Sequence, residues 1–454
     1  MAKTTAKPEG TEKRGMEWVF SPKQLLSMYW WNMPSFQHCV GIVCDGAVRS
    51  GKTISLITGF MMWAMETFND RIFALCGKTI KSFERNVLQP MKLIIDSLGY
   101  TLSERKSDHA VLLFSPEGRR NTFYIFGGND EKSQDLIQGI TLAGVYLDEV
   151  ALMPESFVNQ ALARLSVTGA KVWMNCNPEN PSHFVKREFI DNFQRRGFLH
   201  IHFVLDDNLS LSEERRRFYM AQWTGVSFRR YILGEWCLAS GLVFSSFDRE
   251  RMTFSEYEPK AYSDWWIAGD YGTMNPTAVL LIGYNRLLRT FDVFDEYYYD
   301  GRASMHQKTD DEYVRDVAAF SQQYQIRTAF FDPSAASFIA ALKKARIFPR
   351  LIQADNDVLP GIRFTSMLFS MGRIRVAERC RNTIRELESY AWDEEKSIEK
   401  GEDVVIKEND HTCDALRYFC YTEVYRRAKL YGVQDTRELV QGGGEPNAPM
   451  VRTG

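Results

Sequence analysis

The stretch GAVRSGKT, Gly46 to Thr53, fits the phosphate-loop pattern G-x-x-x-x-G-K-[ST]. Gly46, Ser50 and Gly51 would let backbone amides wrap phosphate groups, Lys52 would reach the β and γ phosphates, and Thr53 would hold magnesium at a helix N-terminus. The alternative, a glycine turn carrying an exposed lysine, fits poorly with an apolar strand before the loop (VGIVCDG) and an amphipathic helix after it (TISLITGFMMWAMETF). Arg49, inside the loop, is either a solvated arginine or a group that stabilises charge on the transferred phosphate. Gln24, upstream in FSPKQLLSMYWW, is a candidate adenine contact.

Such a loop needs a partner carboxylate. GVYLDEV offers Asp148 to organise a magnesium shell and Glu149 to polarise an attacking water; the competing reading of Asp148 is a helix N-cap. A glutamate beside that aspartate points to ATP hydrolysis rather than to a stored switch state. In MNCNPENPSHF, Asn175 and Asn177 would sense the γ-phosphate if their strand neighbours the phosphate-loop strand, or else form an Asn-Pro turn.

The second half carries a different chemistry. Asp270 closes WWIAGD, Asp332 closes TAFFD, and Asp414 lies in the expected helix NDHTCDALRYF. Converging carboxylates repel one another unless hard cations bind, so these three are candidate ligands for two Mg2+ or Mn2+ ions. Two such ions about 4 Å apart activate water and stabilise the leaving oxygen in phosphodiester cleavage. Asp410 and His411 are secondary candidates: an outer ligand, a proton shuttle or a cap.

These residues need elements to position them. Between Val40 and Phe203, short apolar runs (VGIVCDG, RIFALCG, NTFYIFGG, AGVYLDE, AKVWMNCNP, HIHFVLDD) alternate with helical segments, which predicts a mainly parallel α/β sheet. Two Arg-rich helical segments follow. DWWIAGDYG, TAVLLIGYN and LLRTFDVFDEYYYD then read as three consecutive strands, followed by alternating elements and an acidic C-terminal helix, the order of a ribonuclease H-like α/β nuclease.

The expected organisation is a disordered lead-in (1–20), a P-loop ATPase domain with a helical end (21–240), a linker (241–258), a ribonuclease H-like domain (259–430) and a flexible Gly/Pro-rich tail (431–454). A length of 454 residues suits two or three domains. With 44% hydrophobic and 25% charged residues and no run long enough to span a bilayer, the composition is that of a soluble globular chain. Eight scattered cysteines show no zinc spacing and read as reduced and mostly buried. A net charge of −2 does not decide for or against nucleic acid.

Together, GAVRSGKT, VYLDE, NCNP, YILGEW, AGDYG, FFDPS and HTCDALRY, in this order, resemble the large terminase subunit of tailed bacteriophages. The resemblance implies ATP-driven translocation of double-stranded DNA into a procapsid, with a nuclease that cuts concatemers. It also implies a homo-oligomeric ring on the portal protein, a small terminase subunit as partner, no membrane, and a location in the host cytoplasm with transient residence on the procapsid. By the same resemblance, Lys52 and Thr53 serve phosphates and magnesium, Asp148 and Glu149 form the Walker B pair, Asn177 lies in the coupling motif, and Asp270, Asp332 and Asp414 ligate the nuclease metals. KSQDLIQGITLAG, before the Walker B strand, holds no arginine that could serve as a finger. A helicase or repair translocase with a non-cleaving DNA-binding second domain is the alternative; the three aspartates and the lack of further motor repeats weigh against it.

Overall fold

The structure, a computed structural model, describes residues 19–272 and 275–433. Most of the expected lead-in and tail therefore lies outside the described residues.

The first sheet has eight strands: β1 (Gly41–Gly46), β2 (Ile72–Gly77), β3 (Thr101–Arg105), β4 (Ala110–Phe114), β5 (Arg120–Gly127), β6 (Gly144–Leu147), β7 (Lys171–Asn175) and β8 (Phe198–Phe203). They run in the order β3-β4-β5-β2-β6-β7-β1-β8. Every residue of β1 is buried, as expected of a central strand covered on both faces. β1 lies between β7 and β8 and is parallel to both, and β6 flanks β7 on the far side. The parallel strands thus bring the ends of β1, β6 and β7 to one edge, where ligands bind in such sheets.

The six strands expected from the sequence are β1, β2, β5, β6, β7 and β8; the antiparallel pair β3–β4 was not expected. β3 (TLSER) is almost wholly exposed, so it has no apolar face to reveal it. Two apolar layers cover the sheet: an aromatic one around Trp30, Phe60, Trp63 and Trp173, and an aliphatic one around Val145, Leu147, Met174 and Val158.

The strands of the second sheet are β9 (Thr253–Phe254), β10 (Tyr262–Asp270), β11 (Thr277–Asn285), β12 (Thr290–Tyr299), β13 (Ile326–Phe331), β14 (Leu351–Gln353) and β15 (Ile374–Ala377). They run in the order β14-β13-β10-β11-β12-β15-β9. β10, β11 and β12 form an antiparallel meander, and β13 joins β10 in parallel. The expected linker is not a free connection. Its Thr253 and Phe254 form edge strand β9 on β15, Leu242 bridges to Ala391, and the Val243 N–H donates to the Tyr390 carbonyl at 2.8 Å. Buried Val243, Phe244 and Phe254 give the segment its own core contacts.

The helices Glu213–Ala221 and Gly225–Tyr231, expected as the end of the first domain, share one apolar cluster with the phosphate loop (Ala47, Val48) and the second sheet. All eight cysteines are free and buried, as expected. Among the described residues no helix is long and apolar enough to cross a membrane.

Candidate functional site

Gly46 and Gly51 both adopt positive φ, 127° and 86°. A Cβ on Gly46 would meet the Phe203 carbonyl oxygen at 1.9 Å, so this turn of the phosphate loop requires glycine. The loop feeds the helix Lys52–Thr67, and Lys52 is buried at its start. The Lys52 ammonium donates to the carbonyls of Gly46 (2.9 Å) and Ala47 (2.6 Å) and to Asn177 Oδ1 (3.2 Å). Burial pushes its pKa down to about 8, while Asp45 and Glu149 pull the other way.

Asp148 follows the last residue of β6, with its carboxylate buried. Its Oδ1 accepts from Asn175 Nδ2 (2.7 Å), the Tyr146 hydroxyl (3.1 Å) and Thr53 Oγ1 (3.4 Å). Burial raises its pKa against these three donors and Lys52. Thr53 and Asp148 thus face each other with oxygen atoms 3.4 Å apart at the mouth of the phosphate loop. Glu149, not Asp148, holds the N-cap position of the next turn, and it makes no side-chain cap. Its φ of 58° is left-handed, a strained conformation for glutamate, and its N–H donates to Asn175 Oδ1 (3.1 Å).

The two asparagines therefore act as connectors, with Asn175 joined to the Asp148–Glu149 pair and Asn177 to Lys52. Glu149, Ala151, Leu152, Asn177 and Glu179 line a small open pocket beside them. Gln24 packs against the loop; a Cβ on Gly51 would meet its Nε2 at 2.0 Å, while its Oε1 caps its own helix. The Ser50 hydroxyl donates to the Ala47 carbonyl at 2.8 Å. The Arg49 guanidinium lies over the Tyr219 ring, 5.4 Å from its centre.

At the second site, Gly269 of β10 is in register with Phe331 of β13, so Asp270 and Asp332 leave adjacent parallel strands at one edge. The helix His411–Phe419 packs on β10, β11 and β13 and brings Asp414 to that edge. His411 Nδ1 lies 2.9 Å from Asp270 Oδ2. Burial raises the Asp270 pKa, and the charges of Asp414 and Asp410 add to this against the His411 contact. Burial also opposes charge on His411, yet Asp270 and Asp410 hold its pKa above the ordinary value.

Asp414 accepts from Arg417 Nη2 (2.9 Å) and Lys407 Nζ (3.1 Å), and Lys407 lies 3.2 Å from the otherwise unbonded Asp410 Oδ2. Asp410 is the N-cap residue by position, but its side chain makes no cap bond. Asp332 is held apart: its Oδ1 accepts from the Ser334 N–H (2.7 Å), and the Tyr418 hydroxyl also bonds it. Burial works against its charge, and these bonds still keep its pKa below the ordinary value. Among the described residues, no three or more His, Cys, Asp or Glu side chains are grouped closely enough to hold a metal ion as they stand. Asp270, Asp332 and Asp414 thus stand along one sheet edge without closing on one point, and Arg417 and Lys407 neutralise Asp414. The donor set, carboxylates compensated by a half-exposed ammonium, fits hard oxygen-bound cations.

Residues 43–251 match the family described as terminase large subunit, T4likevirus-type, N-terminal, and residues 290–421 match the terminase RNase H-like domain. The large terminase from a thermophilic bacteriophage is 45% identical, covers 90% of this chain and is itself covered completely, with a TM-score of 0.84. The chain belongs to the large terminase family.

The same thermophilic phage protein in complex with ATP-gamma-S is 44% identical over 89% of this chain and its own full length, with a TM-score of 0.81. The large terminase subunit of Escherichia phage T5 is 27% identical over 243 residues, 50% of this chain and 52% of the T5 protein. Three residues of this large terminase's sites were not among the candidates read from the sequence. Tyr146 could have been found from strand alternation, since it precedes Asp148 by two and shares its face. Arg417 could have been found from helical spacing, three residues after Asp414. Asp45 had no such signal. It is buried under the phosphate loop and bonded by His200 Nε2 (2.8 Å), His202 Nδ1 (3.1 Å) and Trp236 Nε1 (2.6 Å), which join β8 to the stretch YILGEW.

Proposed function

We propose that this large terminase hydrolyses ATP at the Lys52–Glu149 site to move double-stranded DNA into a procapsid, and cuts concatemeric DNA at the Asp270–Asp414 site. The observation that carries the reading is the convergence at one sheet edge of Lys52 from the β1 loop, Asp148 and Glu149 from β6, and Asn175 and Asn177 from β7. Lys52, with the amides around Gly46, Ser50 and Gly51, receives the phosphates. Thr53 and Asp148 hold the magnesium of ATP, and Glu149 orients and deprotonates the attacking water. Asn177 senses the γ-phosphate through Lys52. Gln24 borders the loop where the base would extend, and Arg49 assists in cis only if it leaves Tyr219.

In the second domain, Asp270, Asp332 and Asp414 hold two Mg2+ or Mn2+ ions, with Asp410 and His411 as outer contacts. When bound, the ions supply an activated water and charge neutralisation for phosphodiester cleavage. His411 keeps Asp270 oriented, and Lys407 and Arg417 balance the charge of Asp414. The partners in this reading are a small terminase subunit, a portal protein and further copies of this chain in a ring on the procapsid, in the cytoplasm of an infected host.

Two substitutions separate the sites. Glu149→Ala should abolish ATP turnover and leave Mn2+-dependent plasmid cutting intact, and Asp332→Ala should do the reverse. Cutting that survives Asp332→Ala would exclude the second site. Absent ATPase activity in the wild type, even with DNA, portal and small subunit present, would exclude the first.

A further inference from the structure

The loop that carries Asn177 continues into Glu179, and Glu179 faces the second domain. Arg363, on the helix Val358–Ser370, donates through Nη2 to both Glu179 carboxylate oxygens, at 2.8 and 2.6 Å. Arg230 Nη1 reaches Glu179 Oε2 at 3.2 Å, and its Nη2 donates to Asp403 Oδ1 at 2.9 Å. The side chains of Arg230, Glu179, Asp403 and Arg363 are only 2%, 12%, 4% and 11% exposed. Two guanidinium and two carboxylate groups therefore neutralise one another out of water, where losing one partner is felt strongly by the others.

The same place is fixed by uncharged contacts. Asn180 Nδ2 donates to the Ser397 carbonyl at 3.0 Å, and a Cβ on Gly401 would meet the Ser182 carbonyl oxygen at 2.9 Å. Arg230 is also tied to the phosphate loop, because the carbonyl of its neighbour Tyr231 accepts from the Val48 N–H at 2.8 Å. One buried network thus touches the phosphate loop, the Asn177 loop and the second domain.

We infer that Arg363 and Asp403 of the second domain, acting through Glu179 and Arg230, are positioning residues for ATP hydrolysis: they hold the Asn177 loop in register with Lys52. The inference rests on the ATPase reading above and extends it, because the ATPase site is then completed across the domain interface. Arg363 bonds Glu179 and lies over the Tyr231 ring rather than reaching Lys52, so its loss leaves the phosphate-loop amides and Lys52 in place. It frees the loop by a fraction of an ångström to an ångström, a displacement that costs turnover rather than binding.

The test uses the full-length chain with double-stranded DNA. Arg363→Met should lower ATPase kcat by about tenfold or more with KM changed less than about threefold. Mn2+-dependent plasmid cutting should be retained, and Arg363→Lys should recover a large part of kcat. Glu179→Gln should reproduce the kcat defect, and the double variant should be no worse than the stronger single one. If Arg363→Met does not fold, Glu179→Gln and Arg363→Lys carry the same comparison. An unchanged kcat, or a loss of ATPase and cutting in equal measure, overturns the inference. A wild type without ATPase activity would instead refute the underlying ATPase reading.

Discussion

His183 illustrates how the environment of one residue sets a property of the protein. It follows the Asn177–Glu179 loop, and its Nδ1 accepts the Val185 N–H at 3.2 Å, a bond that protonation would break. Burial, with the charges of Arg187 and Arg230 outweighing that of Asp403, holds its pKa down at about 4 against an ordinary 6.5. Between those two values the unfolded chain binds a proton that the folded chain refuses. Stability is therefore full above pH 6.5 and falls as pH drops towards 4, by at most about 3 kcal/mol. Denaturant melts across this window should show the loss, and His183→Gln should flatten the slope. At the residue scale, groups that sit inside a motif with chemical meaning (Lys52, Asp148, Glu149) were legible. His183, Asp45 and Lys407 were not, because their roles come from the partners they meet in the fold and not from a motif of their own.

At the element scale, the strands that carry functional groups were readable because each is a short, buried apolar run that ends in a polar residue. Asp270 and Asp332 follow from that rule, and the parallel register of β10 and β13 makes them neighbours. β3 and β9 were not readable, since one is exposed and the other is two residues long and depends on β15. Packing behind the functional strands adds a constraint that the pattern of apolar residues does not reveal. Gly144 opens β6 beneath Trp63, and a Cβ there would meet Trp63 Cζ3 at 2.6 Å and Phe73 Cδ1 at 3.1 Å. Trp63 is itself wedged against Trp173, with ring centres 4.7 Å apart, and has little room to yield. Gly144→Ala should therefore destabilise the protein by about 1–3 kcal/mol and reduce ATP turnover by shifting the strand that ends at Asp148. An unchanged denaturation midpoint would mean that the tryptophan layer can repack.

At the scale of the whole molecule, motif order identified two catalytic halves, but nothing in it indicated how they join. The joint is made by residues far apart in sequence, such as Glu179 and Arg363, which are 184 positions apart and belong to no shared period. It also includes a continuous apolar cluster from Ala47 and Val48 in the phosphate loop, through Tyr219, Trp223 and Tyr231, to Phe330, Phe419 and Val376 around the second sheet. Chains of this length commonly unfold domain by domain when the domains have separate cores. Here the first sheet has apolar layers of its own, but the phosphate loop cannot lose its support without exposing apolar surface of the second domain, so the two should unfold together. Differential scanning calorimetry of the full chain should give one cooperative transition. Arg230→Met, which leaves Asp403 buried without its guanidinium partner, should lower that transition by the equivalent of about 3–5 kcal/mol. Two resolved transitions in the wild type would mean that the shared cluster does not couple the domains.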